Sequence, residues 1–500
     1  MKNSIAKNTA VLSMAGFLTK ILGAVYKFPL IKILGQEGFG IYSIVYPLFA
    51  IFLILGTSAF SLGVSRYISK NQDNIDITSP IILAIIVGSI CNLILLFSGK
   101  IISLIQNQDE FYFIYKNISP LVIISFLLGS LRGYFQGKEE MKIVAKSQII
   151  EQLIKIISSI VICIFLLKIN LIYAVFGLFL GIGLSEFASI IYMLSKIKTK
   201  TKITTKNISL HNIKEMFKIS LPFYFTSIVP PISQSITSIA ILPFVAYFSQ
   251  TFATKVFGFS SGIISSIINI PLIISTSLSI SLLPNITKKY KNKNYFGDDV
   301  IVCLYYVFNI SIFFTLIFFI FAPEISNTLI SLFSFDINEF ILTNFFKIAS
   351  FTIFYSAFLQ VINTLLQGLG KWKTTTLFSF LGAIIKFISL YLLTRFESIN
   401  MYSIFISENV GTAFCLILEI ISLKKHFNIY STNKVNFLKP SILFLSIITC
   451  AVILQNYTSI NLITTFFKAF IILLLIIIES ILLNLFNIRK FIFKNKSQPF

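Results

Sequence analysis

The chain is long, apolar and basic. Of its 500 residues 56% are hydrophobic and 12% are charged, with 41 Lys and Arg against 19 Asp and Glu. Soluble domains carry about 25% charged residues, so this composition excludes a soluble enzyme, a secreted disulfide scaffold and a coiled coil. Repeated apolar runs of about 18 or more residues instead predict an all-α polytopic membrane protein.

Apolar runs separated by polar breaks predict about 14 transmembrane helices, each long enough to cross about 30 Å of hydrocarbon. The first run is not a signal peptide, because Lys20 and Lys27 interrupt it and no small-residue cleavage site follows. The predicted spans are 9–31, 41–64, 79–99, 113–131, 147–167, 171–195, 219–248, 256–284, 300–322, 340–367, 374–394, 400–422, 440–456 and 461–486.

Lys and Arg alternate along the predicted connections. The termini and every second connection together hold 29 of them, and the remaining connections hold 7 when Lys116 and Lys347, in the first turns of the spans that follow, are counted with them. Because Lys and Arg are enriched on the cytoplasmic side, both termini are predicted to be cytoplasmic in a bacterial cell membrane. The basic charge is then expected to face anionic membrane lipids rather than nucleic acid.

Two series of matches at constant offsets indicate an internal duplication. The matched pairs are Phe39-Gly40 with Phe257-Gly258, Gln136-Gly137 with Gln367-Gly368, and Lys155 with Lys386. Six spans separate each pair, which predicts two six-helix lobes related by a parallel repeat, as in many transporters. The predicted divisions are an N-terminal lobe (1–196), a basic cytoplasmic linker (197–218), a C-terminal lobe (219–426), and helices 13–14 with a basic tail (427–500).

A few lysines fall inside predicted spans, where burial of charge is expensive and usually functional. Lys20 and Lys27 are seven residues apart on nearly one face of span 1, which favours a cationic cavity that holds an anion. Snorkelling of both side chains to the interfaces is the alternative. Lys155 has Glu151 four residues before it, so a structural ion pair is as plausible as a cavity role. Lys386 has no acidic residue within reach on its own helix and must face a partner helix, a water cavity or a ligand.

Other candidates are acidic residues, an arginine and prolines. Glu186 and Glu419 occupy near-equivalent positions in spans 6 and 12 and could bind Na⁺ or H⁺, or neutralise a lysine. Arg66 ends span 2, where phosphate contact and ordinary cytoplasmic placement are both open. Prolines in spans 7 and 8 predict a bent or broken helix lining the pathway, with a static bend as the alternative. The prolines are Pro222, Pro230, Pro231 and Pro271.

No enzyme or resident cofactor is predicted. A phosphate-cradling glycine loop is absent, and the five cysteines and two histidines show no metal-binding or disulfide spacing. Transport would therefore draw on ion gradients, the membrane potential or the gradient of the substrate.

Several short motifs carry a family resemblance, and their order and spacing run over most of the chain. They are Thr19–Lys27, Leu34–Tyr42, Leu131–Gly137 and Leu282–Thr287. Together they resemble the polysaccharide-transport branch of the multidrug/oligosaccharidyl-lipid/polysaccharide exporter superfamily, in particular the stage V sporulation protein B group and, more distantly, lipid II flippases.

That resemblance implies alternating-access movement of undecaprenyl-pyrophosphate-linked saccharides across the bacterial inner membrane. It implies a cationic central cavity for the pyrophosphate and a groove for the lipid tail formed by the last two helices. Lys20 matches the basic residue of the family's first span, and Lys27 lies about one position from the second.

The leading hypothesis is a flippase for a lipid-linked peptidoglycan or polysaccharide precursor. A cation-coupled multidrug exporter is the first alternative, although it would need acidic rather than basic cavity residues. A non-transporting membrane scaffold, acting with enzymes of cell-wall or spore-envelope synthesis, is the second.

Overall fold

The structure is a computed structural model that describes residues 2–70, 77–197, 210–244, 249–291, 297–333 and 337–427. Throughout these residues the chain forms helices and short connections, with no strand among them. The predicted all-α polytopic fold is confirmed. Predicted helices 13 and 14 lie outside the described residues.

The helices follow in chain order with short connections. The first half contains α1 (Lys2–Val25), α2 (Lys27–Ile54), α3 (Ser61–Lys70), α4 (Thr78–Ile105), α5 (Asp109–Ile118), α6 (Leu121–Gly137), α7 (Met141–Leu167) and α8 (Leu171–Leu194). The second half contains α9 (Leu210–Phe244), α10 (Gln250–Phe257), α11 (Ser265–Lys291), α12 (Gly297–Ile320), α13 (Ala322–Phe333), α14 (Glu339–Gly368), α15 (Trp372–Leu393) and α16 (Ser403–Phe427).

The predicted spans agree with these helices. Among the described residues, 10 helical segments are long and apolar enough to cross a membrane. One of them, Met14–Lys70, covers the first two predicted spans. Predicted span 7 corresponds to α9, which begins at Leu210, ahead of the predicted start at 219.

The chain divides into two compact units. Unit 1 comprises Met1–Ile273 and Trp372–Gly411, and unit 2 comprises Ile274–Lys371 and Thr412–Phe500. In unit 1, α2 packs against α8, α9 and α10, and α7 packs along α8. In unit 2, α12 packs on α14, where Phe308 meets Phe354 and Phe358 edge-on. The lobe boundaries inferred from the duplication stay a prediction.

Within the described helices, irregular geometry concentrates at two π-helical turns and one glycine. The turns are Leu55–Phe60, between α2 and α3, and Gly258–Ile264, between α10 and α11. Gly35 adopts a φ of 67° inside α2, a left-handed conformation that glycine accepts without strain. Such π turns are frequent at functional sites.

The two Phe-Gly pairs matched by the duplication meet inside unit 1. A Cβ on Gly40 would overlap the carbonyl group of Thr254, and one on Gly258 would overlap the backbone of Gly40. Phe39 lies against Gly262 in the same contact. Only glycine permits this approach of α2 to the second π-helical turn, because any side chain would force the backbones apart.

The predicted break in span 7 is absent from the structure. One helix, α9, runs through Pro222, Pro230 and Pro231 without interruption. Within it the Thr226 hydroxyl donates to the carbonyls of Pro222 (3.2 Å) and Phe223 (3.1 Å). Pro271 is buried within α11. The breaks fall at Gly35 and the π turns instead, and a hinge role for the four prolines stays a prediction.

A candidate cationic site in the membrane-spanning helices

Two of the predicted lysines come together where α1 passes into α2. The Lys155 Nζ atom, on α7, lies 5.8 Å from the centroid of the buried Tyr26 ring. Lys27 follows Tyr26 directly, is half-buried, and lies within electrostatic range of Lys155. Tyr26 is the residue that joins α1 to α2, and its N–H still bonds to the Leu22 carbonyl at 3.0 Å. The turn between the two helices therefore sets the position of the cationic pair.

The Lys27–Lys155 pair carries two like charges. Neither ammonium group forms an ion pair with a carboxylate in the part of the chain that the structure describes. Two ammonium groups repel one another more strongly in a low-dielectric span than in water. The face of Tyr26 offsets part of that repulsion through a cation–π contact. An anion placed between the two lysines would remove the rest.

Glu151 does not neutralise Lys155, although it is four residues away on the same helix. Its carboxylate instead pairs with the Arg132 guanidinium from α6. Arg132 is 6% exposed and also donates from Nε to the Ser147 hydroxyl at 3.2 Å. Guanidinium presents several donors in one plane, which suits this double contact better than ammonium does. The structure thus resolves the open alternative for Lys155 against the Glu151 ion pair.

Glu186 is fully buried on α8. The Ser125 hydroxyl, on α6, lies 3.0 and 2.8 Å from the two carboxylate oxygens. Arg132, Glu151 and Lys155 all lie within electrostatic range of it. Glu186 therefore belongs to the same network as the Arg132–Glu151 pair and Lys155.

Lys386 is 7% exposed on α15 and pairs with Glu408 of α16. Close packing of the two helices holds this pair, since a Cβ on Gly411 would lie 2.7 Å from the Lys386 Cβ and 2.8 Å from the Gly382 carbonyl oxygen. Of the three surroundings left open by the sequence, the structure places Lys386 against a partner helix. Its charge is already compensated, and a role in substrate binding stays a prediction.

The remaining predicted residues lie apart from the Lys27–Lys155 pair. Lys20 is exposed on α1, and Arg66 is exposed on α3, where its carbonyl accepts a bond from Ser69 (3.0 Å). Glu419 is fully buried on α16, and neither of its carboxylate oxygens has a hydrogen-bond partner in the structure as described. Burial of an unpaired carboxyl group favours its neutral form or a bound cation.

Two features of the site escaped the sequence analysis. The predicted end of a span at residue 131 places Arg132 in a connection, whereas the structure buries it in α6 beside Glu151. Polar residues of α7 at helical spacing, Gln148 and Gln152 among them, also went unremarked. Polar residues that recur every 3.6 residues within an apolar span would have indicated this polar face of α7.

The sequence and fold match known proteins. Residues 5–290 match the family model described as "Polysaccharide biosynthesis protein". The chain is 26% identical to "Stage V sporulation protein B" of Bacillus subtilis (strain 168) over 58% of this chain and 60% of that protein. It is 24% identical to "Lipid II flippase MurJ" of the same organism over 59% of this chain and 60% of that protein. Each match thus spans about three fifths of the relative.

Solved structures share the fold. "Lipid II flippase MurJ, inward closed conformation" aligns with a TM-score of 0.67 at 16% identity, covering 94% of this chain and 98% of that one. "Inward-facing conformation of a multidrug resistance MATE family transporter of the MOP superfamily" aligns with a TM-score of 0.68 at 13% identity, covering 82% and 94%. The predicted resemblance is confirmed, and these proteins are named as a flippase and a transporter rather than as enzymes.

Proposed function

Because this chain belongs to the polysaccharide biosynthesis protein family, and forms a multi-pass membrane protein, we propose that it is a flippase for a polyprenyl-diphosphate-linked saccharide. The observation that carries the proposal is the Lys27–Lys155 pair. These ammonium groups are half-buried, and neither forms an ion pair with a carboxylate of the described residues. Their two positive charges would balance the two negative charges of a diphosphate. Moving a diphosphate through hydrocarbon unaided is prohibitively expensive, and fixed cations offset that cost.

The relatives support the same substrate class. One carries the printed name of a lipid II flippase, and the matching family model names polysaccharide biosynthesis. The substrate proposed here is an undecaprenyl-pyrophosphate-linked precursor of peptidoglycan or of another polysaccharide. With both termini in the cytoplasm, the substrate would enter from the inner leaflet of a bacterial cell membrane. Anionic lipids and enzymes of cell-wall synthesis are the expected neighbours.

Reconstitution tests the proposal directly. Protein in proteoliposomes should move undecaprenyl-diphosphate-linked N-acetylglucosamine between leaflets. A variant with Lys27→Ala and Lys155→Ala should transport this lipid at least about tenfold more slowly than wild type. The matched control is Lys146→Ala, which removes an exposed lysine from the same helix and should leave the rate unchanged. Equal rates for all three proteins would refute a role for the lysine pair. Transport of cationic drugs without transport of this lipid would favour the exporter hypothesis instead.

Energy coupling is proposed to use the buried carboxyl groups Glu186 and Glu419. Each is fully buried in a helix long enough to cross the membrane, where gain and loss of H⁺ or Na⁺ changes the net charge of its surroundings. Glu186→Gln should abolish the response of the transport rate to an imposed Na⁺ or H⁺ gradient while the protein remains folded. An unchanged gradient response in both Glu186→Gln and Glu419→Gln would exclude this coupling.

A further inference from the structure

One face of α7 carries polar side chains through about three turns of an otherwise apolar span. At spacings of three and four residues these positions fall on the same side of a helix. We call this face the α7 polar stripe, and it consists of Gln148, Glu151, Gln152, Lys155, Ser158 and Ser159.

The serine end of the α7 polar stripe is fully engaged by the protein. The Ser158 hydroxyl donates to the Gly181 carbonyl oxygen at 3.1 Å, and the Ser159 hydroxyl donates to that of Leu178 at 3.2 Å. Both acceptors belong to α8, which packs closely here because Gly181 has no side chain. This end of the stripe is a helix–helix contact rather than a binding surface.

The glutamine end differs, because its buried polar atoms have no partner. The Gln148 Oε1 and Gln152 Nε2 atoms are buried without a hydrogen bond in the described structure. Gln152 Nε2 lies 3.2 Å from the position that a Cβ on Gly23 would occupy, so α1 leaves room for the amide but supplies no bond to it. Native proteins rarely leave such atoms unpaired, and lipid tails cannot satisfy them.

The position of these amides relative to the cations identifies the ligand chemistry. Gln152 lies one turn from Lys155 and Gln148 about two turns, so the unpaired amides reach about 5–10 Å along α7 from the lysine. Amide groups pair with neutral hydroxyl and acetamido groups, whereas ammonium groups pair with phosphate. Neutral polar groups next to a diphosphate are those of a directly attached sugar.

We propose that Gln148 and Gln152 form a saccharide subsite beside the Lys27–Lys155 phosphate subsite, and that they select lipid diphosphates carrying a sugar over the bare lipid. This inference rests on the proposed function and adds the part of the substrate that confers specificity. The Arg132–Glu151 pair supports the subsite from behind, because it keeps the Glu151 carboxylate away from Lys155 and the amides.

The test compares two ligands on purified protein in lipid nanodiscs. The probes are undecaprenyl diphosphate and undecaprenyl-diphospho-N-acetylglucosamine, with a hexose-bearing lipid as a third arm that separates recognition of hydroxyl groups from recognition of the acetamido group. Wild-type protein should bind the sugar-bearing lipids about tenfold more tightly than the bare diphosphate, because unmade hydrogen bonds in a built site are penalised. A Gln148→Met/Gln152→Met variant should lose this preference and keep its affinity for undecaprenyl diphosphate.

Controls separate the failure of this inference from the failure of the proposed function. Gln367→Met makes the same change at an exposed position of α14 and should preserve the preference. Retained binding of undecaprenyl diphosphate shows that the double variant is folded. A double variant that still prefers the sugar-bearing lipids overturns the subsite alone. Wild-type protein that binds neither kind of lipid overturns both the subsite and the flippase proposal.

Discussion

Helices α7 and α15 occupy corresponding places in the predicted duplication, yet the lysines at their centres have different surroundings. On α7, Lys155 lies over Tyr26 and near Lys27, while the neighbouring carboxylate of Glu151 turns to Arg132. On α15, Lys386 is buried against the Glu408 carboxylate. The same residue type at matched positions is thus an uncompensated charge in one place and half of an ion pair in the other.

The two helices differ in the partner of the lysine rather than in the lysine itself, and this difference is the reason for proposing an anion site at α7. Arg132 competes for Glu151 with the better geometry, so Lys155 keeps its charge uncompensated. On α15 the neighbouring carboxylate, Glu408, pairs with the lysine itself. The proposal therefore places the anion beside α7 rather than beside α15.

The largest expected effect separates the two lysines by transport. Lys155→Ala should reduce the flipping rate at least about tenfold, equivalent to about 1.4 kcal/mol, because a charged contact to the headgroup is lost. A Lys386→Met/Glu408→Leu variant should remain within about twofold of wild type, since an apolar pair can replace a buried ion pair. The measurement is the initial rate in proteoliposomes. Comparable losses in the two variants would remove the distinction between α7 and α15.

The free energy of unfolding should depend more on the Arg132–Glu151 pair than on the Lys386–Glu408 pair. Arg132→Met is expected to destabilise the protein by about 3 kcal/mol, because it strands a carboxylate whose partner was buried. Lys386→Met should cost less, about 1–2 kcal/mol, since the Glu408 side chain is 34% exposed and water screens it. Reversible unfolding in mixed detergent micelles would measure both changes, and Arg132→Met/Glu151→Leu should recover most of the first loss. A larger loss for Lys386→Met would reverse the assignment of which pair is more deeply buried.

Two glycines test how closely α8 packs on α7 and α16 packs on α15. A Cβ on Gly181 of α8 would lie 2.5 Å from the Ser159 Cα, and one on Gly411 of α16 would lie 2.7 Å from the Lys386 Cβ. Valine at either site should cost about 1–3 kcal/mol through overpacking. Gly16→Ala is the matched control, because nothing lies within 4 Å of its Cβ position. If the valine variants are as stable as wild type, the two helix pairs are looser than described.

The smallest effect is expected at the surface pair of Lys70 and Glu215, which are 2.8 Å apart with side chains 64% and 31% exposed. Lys70→Ala should change stability by less than about 1 kcal/mol, because solvent screens exposed ion pairs. The same unfolding assay sets this value as the baseline for the buried pairs. A loss as large as that of Arg132→Met would mean that burial does not govern the ranking.

Membrane-spanning helices could be predicted from the sequence wherever they consist of a long apolar run. The predicted spans up to residue 422 correspond to described helices, because a run of apolar residues needs no tertiary information to be recognised. Lys27 and Lys155 were also found from the sequence, since charge inside an apolar run is conspicuous.

The sequence does not predict which side chains pair between different helices. The pairing of Glu408 with Lys386 joins two helices, and the burial of Arg132 depends on how α6 packs beside α7. Neither follows from spacing along one helix. Prolines predict a bent or broken span 7, yet α9 is continuous, and its packing against α2 and α15 is information that the prolines do not carry.

Amine-directed footprinting provides the most direct test of an anion site at Lys27 and Lys155. Protein in nanodiscs would be acylated with and without undecaprenyl diphosphate, and the modification of each lysine measured by mass spectrometry. Lys27 and Lys155 should be protected by the lipid, while exposed Lys146 should react equally in both samples and buried Lys386 should show no lipid-dependent change. Protection of Lys386 with unchanged labelling of Lys27 and Lys155 would contradict this assignment.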